Sequence, residues 1–202
     1  MKRNDQERSV ATPQRAEVSE SRRRFSRLGL GAPVVMSLVS RPVFGAQCLS
    51  NMMSGNLSDP TRGTCSKGWS PGGWKQPGGT ISNYSTVGAW SAAGYSYGTL
   101  IAGANPAHIS SYTGGTKTND APFSTLLSGV TTVEPLRLYL KHNPGSLNSG
   151  IITAYLNAKL SAAIPGTFHY ALTPAQVQGL VNGTIPLPSG YGSLQSFFYS
   201  TW

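Results

Sequence analysis

The segment Leu147-Asn-Ser-Gly-Ile-Ile-Thr-Ala-Tyr-Leu-Asn-Ala-Lys-Leu-Ser-Ala-Ala163 carries the clearest structural signal in the chain. Its apolar residues recur at intervals of three and four, which is the period of a helix with one buried face. Pro165 and Gly166 follow and end the pattern. We therefore predict a long helix over residues 147–163 whose buried stripe consists of Ile151, Ile152, Tyr155, Leu156 and Leu160.

Shorter helices are predicted on both sides of this segment. Residues 123–130 and 134–142 show short apolar stripes of helical period. Further along, Thr173 is a typical N-cap, with Pro174 at the first helical position and Gln176 completing a capping box. The aromatic tail beyond this helix is expected to dock on the core, because exposed rings at that density would aggregate.

The preceding part of the chain has a different composition. Residues 47–121 are rich in Gly, Pro, Ser and Asn, contain tryptophan and tyrosine but no phenylalanine, and show little helical periodicity. We therefore predict that residues 46–202 form one small domain, mainly α, with three to four short helices and extensive irregular Gly/Ser-rich coil. Residues 122–202 would be its helical half. An α+β fold is the alternative.

Charge is concentrated at the N-terminus. The 202 residues include 16 Lys+Arg and 7 Asp+Glu, for a formal net charge of +9. Nine of those basic and four of those acidic residues lie within residues 1–45. The remaining chain is sparsely charged and lacks the basic face of a nucleic-acid binder. It contains no Walker loop, dinucleotide fingerprint or metal-ligand cluster, so we predict no cofactor and no metal.

The N-terminal segment has the pattern of an export signal. Arg22, Arg23, Arg24 and Phe25 precede an uncharged run of 13 residues, which is shorter than the about 20 needed to span a bilayer. Small residues then mark a cleavage position near Gly45. The paired arginines favour the twin-arginine type. We predict a disordered extension over residues 1–20, a twin-arginine signal over 21–45, and the twin-arginine export machinery as a partner.

Export sets the expected location and redox state of the protein. We predict a bacterial periplasmic or extracellular protein with no transmembrane segment in its mature chain; a retained N-terminal anchor is the alternative. In an oxidising compartment, Cys48 and Cys65 are expected to form a disulfide. The two cysteines are 17 positions apart. Closing a loop of that size would stabilise the folded protein by about 3 kcal/mol on the chain-entropy estimate.

One motif resembles a known group of domains. Cys65 is followed by Ser70-Pro71-Gly72-Gly73-Trp74-Lys75. This resembles the signature of a group of secreted bacterial domains of unknown function, which carry Cys, then Pro-Gly-aromatic-Trp-Lys, then Asn-His. Residues 123–127, 151–158 and 169–182 are similar to later blocks of that group. The chain departs from it at Gly73, where the group has an aromatic residue, and at Gln76-Pro77, where it has Asn-His. The resemblance implies a secreted location and no particular chemistry.

The aromatic residues of the first half allow two interpretations. Trp74 can close the core after the Pro71-Gly72 turn, while the Lys75 ammonium caps a helix or rests on a ring. The alternative is a binding surface that offers flat rings to a carbohydrate or a partner protein. Its candidate residues are Pro71, Gly72, Trp74, Lys75, Trp90, Tyr95 and Tyr97.

The chain also contains a short sequence motif that is typical of serine hydrolases. Residues 94–98 fit G-x-S-x-G around Ser96, and Asp120 or Glu134 and then His142 or His169 follow in hydrolase order. The motif has catalytic meaning only where a strand turns sharply into a helix. The first hypothesis for the function is a non-enzymatic structural, surface or assembly protein, in the cell envelope or outside the cell. A carbohydrate- or partner-binding module and a serine hydrolase are the alternatives.

Overall fold

The computed structural model describes residues 67–202. Within them, seven α-helices and two two-stranded antiparallel sheets form an α+β arrangement. Several predictions concern residues outside the described part. These are the export signal with Arg22, Arg23, Arg24 and Phe25, its cleavage near Gly45, and the disulfide between Cys48 and Cys65.

Apart from one helix of 17 residues, the elements of the described part are short. In chain order they are α1 Pro71–Lys75, β1 Thr80–Ile81, β2 Tyr84–Ser85, α2 Thr86–Ala92, β3 Thr99–Leu100, a 3-10 turn Ile109–Ser111, β4 Tyr112–Thr113, α3 Phe123–Leu126, α4 Leu136–His142, α5 Leu147–Ala163, α6 Pro174–Val181 and α7 Leu194–Tyr199. The α+β alternative fits this arrangement, whereas the preferred mainly-α prediction with three to four helices is not confirmed.

Helix α5 forms the centre of the described part, and its predicted bounds are confirmed. Ser146 caps it by accepting a hydrogen bond from the Ser149 N–H at 3.1 Å. The helix contacts α1, α2, α4, α6 and α7. Because neighbours surround it, almost every residue from Ser149 to Leu160 is buried rather than one stripe. Small residues permit this, since a Cβ on Gly150 would lie 3.3 Å from the Tyr199 ring.

The other elements predicted in the second half are present. Helix α3 ends at Leu126, four residues earlier than predicted, and α4 begins two residues later than predicted. The capping box of α6 is confirmed, with Thr173 N–H donating to Gln176 Oε1 at 2.8 Å and Gln176 N–H donating back to Thr173 Oγ1 at 3.2 Å. The tail forms α7, which fully buries Phe197 and Phe198, so docking of the tail is confirmed.

The half predicted to be irregular contains regular elements. Strands β1 and β2 pair with Thr80 opposite Ser85, and the turn between them places Ser82 and Asn83 at φ of 46° and 71°. Two left-handed residues are typical of the tight hairpin turn whose twist matches its strands. Strands β3 and β4 pair with Thr99 opposite Thr113. These sheets and helices α1 and α2 correct the prediction of coil for the described residues of this half.

Candidate binding groove

An open, mainly apolar groove of about 420 Å³ lies between the two small sheets. Small-molecule sites typically have volumes of about 300–1,000 Å³, so the groove is large enough to hold a ligand. Its walls come from the strands, from the start of α2 and from the connecting turns. The lining residues are Pro77, Gly78, Ser85, Val87, Gly98, Leu100, Pro106, Ala107 and Tyr112.

One wall is fixed to the core by tyrosine. The Tyr112 hydroxyl donates a hydrogen bond to the Pro106 carbonyl at 3.1 Å. The Tyr112 ring packs edge-to-face on the buried Tyr97, with 4.9 Å between the ring centroids. Asn105 Oδ1 accepts from the Ala107 N–H at 2.9 Å and shapes the turn. The wall therefore has a defined position although it belongs to a loop.

The opposite wall follows from local sequence at two turns. Pro77-Gly78 follows Gln76, the C-cap of α1. A Cβ on Gly78 would lie 3.4 Å from Ala107, so the two walls meet there. Ser85 accepts a hydrogen bond from the Gly88 N–H at 3.0 Å and caps α2. The cap sets the start of α2 and hence the position of Val87 in the groove.

Exposed apolar side chains adjoin the groove. Leu100 lines it and is 41% exposed, and the next residue, Ile101, is 47% exposed. Tyr84, beside the lining residue Ser85, is 39% exposed. Large apolar side chains left in water beside a groove are typical of a binding surface. Val133 is also exposed, at 59%, but does not line the groove.

A buried arginine lies behind the groove. Arg137, on the first turn of α4, is 2% exposed, and its guanidinium donates to the carbonyls of Tyr97 at 2.7 Å, Tyr112 at 2.6 Å and Gly114. The guanidinium carbon lies 5.5 Å from the centre of the Tyr97 ring. Burial lowers the pKa of Arg137, while the neighbouring Tyr97 acts in the opposite direction. An arginine nevertheless keeps its proton at physiological pH.

Three of the predicted binding rings belong to the core instead. Trp74 and Trp90 are fully buried and Tyr97 is 2% exposed. The Trp74 indole donates to Asn157 Oδ1 at 3.0 Å, and the Trp90 indole donates to the Trp74 carbonyl at 2.9 Å. A ring buried on both faces has no surface for a sugar, so the prediction that these three rings form a binding surface is wrong.

Of the remaining candidates, Pro71, Lys75 and Tyr95 are partly buried and Gly72 is exposed. Tyr95 is partly buried against Phe123 and Tyr155, with 5.2 Å between its centroid and that of Phe123. Pro71 and Gly72 form the first turn of α1. Lys75 ends α1, and its carbonyl accepts from the Tyr97 hydroxyl at 2.6 Å. The structure brings α1 and these rings together to build the core rather than an open site.

The G-x-S-x-G string does not form a catalytic elbow. Ser96 follows helix α2 and precedes strand β3, which is the reverse of the order that the motif requires. Its N–H donates to Thr116 Oγ1 at 2.9 Å. Among the candidate partners, Asp120 accepts from the Lys117 N–H at 2.8 Å, whereas Glu134 and His142 do come together, with 3.0 Å between Glu134 Oε2 and His142 Nδ1. The geometry of the elbow that the hydrolase hypothesis requires is absent from the described residues.

The groove was not predicted from the sequence. The sequence marks Pro77-Gly78 and Pro106 as turns, but turn signals do not show which turns meet. The apolar pair Leu100-Ile101, between stretches rich in glycine and serine, was the one available signal of a surface patch. Arg137 lies between two leucines in the sequence, which favours a position on the solvent-exposed face of a helix. In the structure its side chain is buried.

Residues 67–202 contain neither a metal-ligand cluster nor a membrane-spanning helix. No group of three His, Cys, Asp or Glu side chains there could hold a metal ion. No helix among the same residues has the length and hydropathy needed to cross a membrane. In comparisons with known proteins, no family model, no curated protein and no solved structure matches the chain.

Proposed function

We propose that the protein is an exported, non-enzymatic binding protein that holds an apolar ligand in the groove between its two small sheets. The observation that carries the proposal is a groove of about 420 Å³ with apolar walls, bordered by exposed Leu100 and Ile101. Leaving such side chains in water costs free energy that a ligand would recover on burial.

The polar groups of the groove support binding rather than catalysis. Its two hydroxyl-bearing side chains, Ser85 and Tyr112, already cap α2 and hold the Pro106 turn, respectively. A catalytic nucleophile needs a base within hydrogen-bond reach. Neither histidine nor a carboxylate lines the groove. Affinity would therefore come mainly from apolar contact, with shape set by the fixed walls.

A neutral environment-sensitive dye tests the site. N-phenyl-1-naphthylamine should bind the full chain saturably and gain fluorescence. Leu100→Asp places a charge in the groove and should weaken binding by at least about tenfold. Val133→Asp makes a similar change at an exposed apolar residue outside the groove and should leave the affinity unchanged. Absence of saturable binding, or equal effects of the two variants, would refute the proposed site.

Export is supported by the twin-arginine pattern at Arg22–Phe25 and the short apolar run that follows it. The intact mass of the protein recovered from the envelope or medium of its own host tests this part. We expect the mass of residues 46–202 less two hydrogens, which corresponds to cleavage after Gly45 and a Cys48–Cys65 disulfide. A full-length mass with two free thiols would refute both.

A further inference from the structure

The buried cation Arg137 lies directly behind the floor of the groove. Its guanidinium binds the carbonyl of Tyr112, which lines the groove, and the carbonyl of Tyr97, which precedes the lining residue Gly98. A Cβ on Gly98 would lie 3.0 Å from Arg137 Nη1. The guanidinium therefore lies close behind the backbone of Gly98, next to the carbonyl oxygens of Thr113 and Gly114.

The charge of Arg137 is not neutralised within the described part of the chain. Its hydrogen-bond partners are neutral carbonyls, which solvate a cation without cancelling its charge. Residues 67–202 contain two acids, Asp120 and Glu134, and no ion pair of Arg137 is found among these residues. The guanidinium Nε is buried there without a hydrogen-bond partner.

The groove thus combines apolar walls with a positive charge at short range and no acidic lining residue. A low-dielectric surrounding strengthens the attraction between that charge and an anion. When two unit charges approach within roughly 8 Å near a protein surface, the attraction changes an affinity by about tenfold or more. A ligand with a cationic group would be disfavoured for the same reason.

We propose that the ligand of the groove is a small amphiphilic anion, an alkyl carboxylate whose chain lies on Val87, Leu100 and Tyr112 while its carboxylate lies near Gly98. This inference rests on the proposed function and adds the chemical class of the ligand. The size of the groove supports a small molecule, because a stable protein partner buries about 800 Å² on each side.

Competition by three amphiphiles of equal chain length tests the inference. Dodecanoate, dodecanol and dodecylammonium, below their critical micelle concentrations, are titrated against bound N-phenyl-1-naphthylamine. We expect dodecanoate to displace the dye at a concentration at least about tenfold lower than dodecanol, with dodecylammonium weakest. Leu100→Asp should weaken the displacement of the dye by dodecanol, which would locate the bound dodecanol in the groove.

Variants of helix α4 assign the preference to its source. Arg137→Met should abolish the preference for dodecanoate over dodecanol, and Arg137→Lys should retain it, in protein whose fold is verified by circular dichroism. Lys141→Met removes an exposed cation from the same helix and should leave the preference unchanged. If neither Arg137 variant folds, the order of the three competitors on the wild type decides alone.

The outcomes separate the two proposals. If all three amphiphiles displace the dye equally while Leu100→Asp still weakens dye binding, the proposal of an anionic ligand is overturned. The proposal of a binding groove would still stand. Failure of the dye to bind saturably would overturn the proposed function itself. A preference for dodecanoate that survives Arg137→Met would overturn the role of Arg137.

Discussion

Asn157 joins the central helix to the segment around Trp74. Its Oδ1 accepts from the Trp69 N–H at 2.9 Å and from the Trp74 indole at 3.0 Å. Its Nδ2 donates to the Trp69 carbonyl at 2.9 Å. Gly68 permits this approach, because a Cβ there would lie 2.6 Å from Asn157 Nδ2. One buried side chain thus satisfies three polar groups more than 80 residues away in sequence.

Replacing Asn157 with leucine should strongly destabilise the protein. Leucine has a similar size but leaves the Trp69 backbone and the Trp74 indole without partners, at about 1–3 kcal/mol for each buried group. We expect the free energy of unfolding, measured by urea titration, to fall by about 4 kcal/mol. Asn182→Ala, at an exposed position after α6, should change it by less than about 0.5 kcal/mol. Equal losses in the two variants would contradict the assigned role of Asn157.

At the scale of elements, the sequence predicts those helices whose signals are local. Helices α5 and α6 carry their periodicity and caps within their own residues, so the predicted start and end of α5 and the capping box of α6 are confirmed. The docking of the aromatic C-terminal tail on the core was also predictable from the composition of the tail itself. The predicted extent of α3 is too long because Leu127 leaves the helix and adopts an extended conformation.

Helix α1 could not be predicted from the sequence, because contacts with residues distant in the chain stabilise it. It has five residues, two of them glycine, and a helix this short is not stable alone. Its last carbonyls accept hydrogen bonds from the side chains of Trp90 and Tyr97, which are distant in sequence. The groove is unpredictable for the same reason. Pro77, Leu100 and Pro106 each indicate only a turn or a short apolar stretch. The pairing of β3 with β4 brings Leu100 and Pro106 to one hairpin, and the Pro77-Gly78 turn meets that hairpin at Ala107.

At the scale of the whole molecule, tyrosines rather than carboxylates should control the dependence of stability on pH. In most proteins, the carboxylates contribute most to the dependence of stability on pH. Residues 67–202, however, contain only Asp120 and Glu134 as acids. Burial is the main cause that raises the pKa values of Tyr95, Tyr97 and Tyr170 well above the ordinary value of about 10. For Tyr170, a hydrogen bond with Thr201 at 2.6 Å acts in the opposite direction.

The protein should therefore lose stability as pH rises above about 10. In that range the unfolded chain releases tyrosine protons that the folded protein retains, so the unfolded state binds fewer protons and stability falls with increasing pH. Each fully buried tyrosine contributes a slope of about 1.4 kcal/mol per pH unit. Urea unfolding between pH 8 and 11.5 measures the total slope. Tyr170→Phe should reduce the total slope by one such contribution. Parallel curves for the wild type and Tyr170→Phe would contradict the prediction, because they would show that Tyr170 ionises equally in the folded and unfolded states.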